Sequence, residues 1–162
     1  MRARVEQLED RVAALEGDRE RSDTEPGTGT TFWALEGLKS RTEDPGAVLF
    51  TGAVTLPTGE HWEWQEGRLA TAVLEDDWTE GAAMLSALAH PVRLLLLREI
   101  LHGTRTVAEL STHESLGTTG QLYHHLRQLV SAGWLRATAR GHYAVPGERV
   151  IPLLIVLAAV RR

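Results

Sequence analysis

Between Thr118 and Gly133 the chain reads TTGQLYHHLRQLVSAG, a run dense in hydrogen-bonding side chains but with a single arginine and no lysine. Leu122, Leu126, Leu129 and Val130 recur at helical spacing and form an apolar stripe. Thr119, Gln121, Tyr123, His124 and Arg127 lie on the other side. Such side chains suit base edges: glutamine pairs with adenine, and threonine meets either a base or the thymine methyl. Thr118 and Gln121 are also spaced as a capping box, which competes for the same glutamine. Affinity for a polyanion comes mainly from phosphate neutralisation. Arg105, Arg136, Arg140 and His142 flank this helix in sequence and are the candidates for that work.

Other chemistries find less support. The sequence has no cysteine, so disulfides, thiolate metal sites and cysteine nucleophiles are excluded. None of the seven histidines has a partner at i+4, the spacing of a helical metal pair. His124 and His125 are adjacent and point to different sides of a helix. His90, in a turn between helices, reads as a cap, and His102 falls near a helix C-terminus, where the dipole favours a protonated ring. No metal and no cofactor is expected. Glu75-Asp76-Asp77 reads as a solvated flank before a helix. Without a nucleophile–base pair, a Gly-rich phosphate loop or a paired-carboxylate motif, the chain is not expected to be an enzyme. Trp62 and Trp64 stand on one side of an alternating run, HWEWQ. They could close a small sheet, form an aromatic wall for a flat ligand, or meet another molecule.

These residues need elements to hold them. TEGAAMLSALAHP reads as a helix ended by His90-Pro91, and PVRLLLLREILHG as a second that starts on Pro91 and stops at Gly103. Thr106-x-x-Glu109 and Thr118-x-x-Gln121 each open a short capped helix, with Gly117 in the connection and Gly133 closing the second. WLRAT and HYAV around the turn ARG make a two-stranded wing. VIPLLIVLAAVRR is apolar nearly all round, so it is expected to be buried, against a partner chain or within its own. Upstream, AVLFTGAVTL and HWEWQ around Pro57-Thr58-Gly59 read as a β-hairpin, with Val48, Phe50, Val54 and Leu56 on one face. FWALEGLKS precedes it and a third apolar run, RLATAVL, follows. At the start, Val5 and Val12 take a positions and Met1, Leu8 and Leu15 take d positions. That pattern, with Arg4 and Arg11 placed to meet Glu9 and Glu16 of a second copy, suits a parallel two-stranded coil. A short helix docked on its own domain is the alternative. Gly17 to Thr31 is polar, broken by Pro26, and reads as a flexible linker.

The composition, 43% hydrophobic and 24% charged, is that of an ordinary globular chain. The charged start MRARVEQLED is not the pattern of a signal peptide. The longest apolar run falls short of the roughly 20 residues that cross a bilayer, so a cytoplasmic protein without membrane contact is expected. Charge is divided along the chain. Residues 1–78 hold 8 Lys/Arg against 17 Asp/Glu, a net of −9, and residues 79–162 hold 9 against 5, a net of +4. Only the second part is suited to face a polyanion.

ALAHPVRLLLL, TVAEL, HHLRQLVSAGWL and an arginine-flanked wing follow in order from Leu85 to Val145. In that combination the segment resembles the winged helix-turn-helix of the ArsR-like bacterial repressors. The resemblance implies a homodimeric transcription regulator that binds a near-palindromic double-stranded DNA operator and answers to an effector. Family members that sense metals place cysteines near the TVAEL helix, where this chain has Thr104, Arg105, Thr106 and Val107, or ligands on the last helix, where it has none. The expected effector is therefore a small organic molecule. The expected fold is mainly α with a small β component, a winged helix-turn-helix preceded by a β-hairpin region and an N-terminal coiled-coil helix. Its segments are the coiled-coil helix 1–18, the linker 19–31, the hairpin region 32–78, and the DNA-binding domain with its dimerisation helix 79–162. The alternative is a winged helix put to another use, binding a protein or a nucleotide ligand instead of DNA.

Overall fold

The computed structural model describes residues 32–161. The expected coiled coil and linker lie outside the described residues. The chain divides into two units, 1–46 and 47–162. Within the first, helix α1 (Trp33–Lys39) is steadied by a Lys39–Glu36 pair one turn apart at 3.2 Å. In the second follow β1 (Ala47–Thr55), β2 (His61–Leu69), α2 (Ala70–Leu74), α3 (Trp78–Leu88), α4 (Pro91–Leu101), α5 (Val107–Leu110), a 3-10 turn (Glu114–Leu116), α6 (Thr119–Ser131), β3 (Arg136–Ala139), β4 (His142–Ala144) and α7 (Gly147–Ala159). The fold is mixed α and β, about 52% helix and 20% strand, with two small antiparallel sheets. The strand share exceeds the small component expected because β1 and β2 run nine residues each.

Helix boundaries follow from local chemistry. The Asp77 carboxylate accepts from the Thr79 amide at 2.9 Å and from its hydroxyl at 2.6 Å, starting α3. These two bonds hold the Asp77 carboxyl below its ordinary pKa. His90 caps α4, its Nδ1 accepting from the Val92 amide at 3.2 Å, with Pro91 at the first helical position. Arg93 reaches back across this turn to the carbonyls of Ala87 at 2.5 Å and Ser86 at 2.8 Å, satisfying groups that the end of α3 leaves open.

Leu96, Leu97 and Ile100 of α4 are buried, as are Leu110, Leu116, Leu122, Leu126 and Leu129 from the segment after it. Trp134 closes one side, its Nε1 donating to the Met84 carbonyl at 2.9 Å. Val150, Ile151 and Leu153 bring α7 into the same layer. The last helix thus buries the start of its apolar face within its own chain, while Leu154, Ile155, Val156 and Leu157 are only half-buried. Its seat is the long hairpin. A Cβ at Gly52 would lie 2.7 Å from Ile151, and one at Gly147 would enter the ring of Trp62. Two glycines on facing elements thus let β1, β2 and α7 approach closely. The boundary expected at 78/79 does not separate two cores, because the hairpin on its acidic side packs on the helix on its basic side.

Candidate nucleic-acid interface

Thr118 and Gln121 form the box their spacing implied. The Thr118 amide donates to Gln121 Oε1 at 2.9 Å, and the Gln121 amide donates to the Thr118 hydroxyl at 3.4 Å. Gly117 makes this closure feasible. Its φ of +79° turns the chain into α6, and a Cβ there would sit 2.5 Å from Gln121 Oε1. The glutamine's Oε1 is therefore engaged at the helix end, as the cap requires.

Leu122, Leu126 and Leu129 of α6 are buried, whereas Val130, placed in that stripe by its spacing, is 37% exposed. At 100° per residue the outward midline runs through Gly120, His124, Arg127 and Ser131, all exposed. Tyr123, 42% exposed, lies to one side of it with Thr119. Gln128, exposed on the other side, was missed because it follows the arginine in an unremarkable polar position. A Cβ at Gly120 would meet nothing within 4 Å. Tight packing within the chain therefore does not explain this glycine.

His125 faces the opposite way. Its ring centroid is 4.7 Å from that of His90, and its buried Nδ1 has no partner. Burial, and then the nearby His90, Arg93 and His124, hold its pKa below the ordinary 6.5. Among the described residues no three His, Cys, Asp or Glu side chains gather as a metal would require.

Arg136, Arg140 and His142 are exposed on the short hairpin β3–β4. His142 Nδ1 donates to the Arg140 carbonyl at 3.1 Å, fixing the ring beside the turn. The segment before α5 meets this two-stranded sheet through a single bridge. The Tyr143 amide donates to the Arg105 carbonyl at 2.9 Å, the Val107 amide donates to the Gly141 carbonyl at 3.0 Å, and Thr106 bridges His142. The backbone at Arg105 thus reaches the short hairpin, but its side chain does not join the other cations. Its guanidinium pairs with Glu60 of the long hairpin, which also accepts from the Thr58 hydroxyl at 2.9 Å. Arg105 and then Thr58 hold the Glu60 carboxyl below its ordinary range. Arg105 is thereby engaged in a tie within the chain and is not a free phosphate contact. Its partner lies 45 residues away, so no local pattern pointed to it.

Trp62 and Trp64 share a face, as alternation required, but they do not form a wall. Trp62 packs on Gly147 and the core, and Trp64 is 37% exposed with its Nε1 3.4 Å from Glu66. The packing reading accounts for the edge of Trp62 that meets Gly147. No helix among the described residues is long and apolar enough to cross a membrane. Comparison with protein-family models, curated proteins and solved structures returns no match.

Proposed function

We propose that this chain is a dimeric, sequence-specific DNA-binding transcriptional regulator built on an ArsR-like winged helix-turn-helix, acting inside the cell without a metal site and without catalysis. In this reading α5, the 3-10 turn and α6 are the helix-turn-helix, and β3–β4, bridged to Thr106, is the wing. The observation that carries it is the uncovered outward midline of α6, where Gly120 leaves the backbone open beside His124 and Arg127. A duplex groove needs that close approach at the first turn of a recognition helix. Thr119, Tyr123, His124 and Arg127 read bases or contact backbone, with Gln128 beside them, while Arg136, Arg140 and His142 neutralise phosphates. Thr118 and Gln121 orient the helix through its cap.

Pairing of two copies belongs to the same reading. It is supported by the heptads of residues 1–18 and by Trp78 and Leu85, which share a stripe of α3 and are 67% and 58% exposed. With few free cations the affinity and its salt slope are modest. The test is selection of sites from a random DNA pool by the full chain at two salt concentrations. An inverted repeat with half-sites about one helical turn apart is expected. Recovery of no sequence at low salt would overturn this reading in favour of a winged helix that binds a protein or a nucleotide.

A further inference from the structure

The long hairpin does not close completely on the helices beneath it. A hollow of about 300 Å³ remains between the hairpin tip, the C-terminal half of α4 and the middle of α7. Val54 and Pro57 form one wall, Leu94 and Leu97 a second, and Leu154 and Leu157 a third. Unfilled aliphatic space forfeits packing contacts on every side. The volume is at the small end of ligand sites, which are typically about 300–1,000 Å³ and mostly apolar with a few polar groups that orient the guest.

The polar groups here are Arg98 and His102, exposed lining residues one turn apart on α4 that mark the mouth. Arg98 holds its charge at a fixed place, with Nε and a terminal nitrogen on Glu99 Oε1 at 3.1 and 2.8 Å. His102 Nδ1 donates to the Arg98 carbonyl at 2.7 Å, which leaves Nε2 as its outer polar edge. An aliphatic chamber with the Arg98 guanidinium at its mouth, one terminal nitrogen of which lies outside the Glu99 pair, fits a compact ring compound carrying an acidic group.

The same hairpin segment leads to the DNA-facing side. Thr55 and Leu56 line the hollow, Thr58 hydrogen-bonds Glu60, and Glu60 holds Arg105. The backbone of Arg105 is in turn bonded to Tyr143 of the short hairpin. A guest that lifts the tip away from α4 therefore pulls on the segment bridged to the wing.

We propose that this hollow binds a small apolar organic acid and that Glu60 and Arg105 relay its occupancy to the β3–β4 wing. The site stands on its own geometry, and its role as an effector site rests on the DNA-binding reading. The test uses the full chain with two fluorescent probes, anionic anilinonaphthalene sulfonate and neutral N-phenylnaphthylamine. Saturable binding of both at one site per chain is expected, and Leu157→Trp should abolish it. Leu154→Phe, a milder filling, should weaken both probes without lowering the unfolding midpoint. Arg98→Ala should weaken the sulfonate about tenfold and leave the neutral probe unchanged. Unsaturable binding, or equal binding by both filled variants, would overturn the site.

The relay is read by hydrogen exchange at the Tyr143 amide, which needs no DNA. The sulfonate should change its rate in the native chain and not in Glu60→Gln. An unchanged rate in the native chain, or the same change in both, would overturn the relay. Where an operator has been selected, the sulfonate should also shift its affinity by about fivefold or more. Failure to find an operator would defeat the DNA-binding reading alone, leaving probe binding and exchange to judge the site.

Discussion

The chain contains two antiparallel hairpins that differ in almost every respect. The long one pairs Ala47 with Leu69 through to Thr55 with His61 without a break, and carries Glu60, Glu63 and Glu66. The short one has strands of four and three residues, a register shift between Ala137 and Ala139, and carries Arg136, Arg140 and His142. The first rests on α7 along one half-covered side of β1 and at Trp62, with Leu56 buried beyond its end; the rest of β2 is as exposed as β3. A hairpin with one covered side has its register tied to that side, whereas one without has only its turn and its neighbours. Here the neighbour is the segment around Thr106, bridged to His142, which steadies the short hairpin from its edge and leaves its cations outward. The long hairpin thus packs on α7, and the short one keeps β3 exposed.

The comparison breaks most readily at the seat of the long hairpin. A side chain at position 147 would enter the Trp62 ring, and a rigid aromatic cannot yield as a flexible side chain does. Gly147→Val should cost about 2 kcal/mol of unfolding free energy, in the range of overpacked cores. Urea unfolding checks this, and an unchanged midpoint would show that the hairpin is not held on α7. On the short hairpin the corresponding test should leave stability untouched. Arg140→Ala should lower affinity for the selected operator by about tenfold at every sequence and reduce the salt slope by about 1. A change in sequence preference instead would move base reading from α6 to the wing.

Gly120→Ala separates folding from binding in a single side chain. Nothing lies within 4 Å of the added methyl, and alanine is the better helix former by roughly 1 kcal/mol. The variant should unfold at higher urea and bind the operator more weakly. A gain in both would mean that no duplex approaches the first turn of α6.

These differences also mark what was legible in the sequence. The caps at Thr106 and Thr118, the leucines of α6 and the strands of both hairpins are local patterns, written within a few residues of one another, and spacing revealed them. The hairpin seat was not written that way. Gly52 and Gly147 look like interruptions until Ile151 and Trp62 are found against them. Alternation put Val48 on one face with Leu56, but not which end of that face is covered; Leu56 is buried and Val48 is 55% exposed. Similarly, Arg105 looked like a phosphate contact because its guanidinium was visible in the sequence and its carboxylate partner was not. The composition of α7 demanded burial but did not say which residues the chain itself covers; these are Val150, Ile151 and Leu153.

The smallest expected effect lies at the tie between the hairpins. The Glu60 carboxyl is held below its ordinary 4.5 chiefly by the hydrogen bond from Arg105 and then by that from Thr58. Its folded-state pKa is thus depressed relative to the unfolded chain. The stability it contributes is fully present above about pH 4.5 and is lost as pH falls through the folded value. The pair is partly exposed, with side-chain exposures of 36% for Arg105 and 40% for Glu60, so the loss is small and screened by salt. Glu60→Gln should therefore differ from the native chain only slightly at pH 7, and the two unfolding midpoints should converge as pH falls below 4.5. A constant gap over that range would show that the glutamate acts through its shape and not its charge. A native chain that gained stability relative to the variant on acidification would reverse the sign that the Arg105 contact requires.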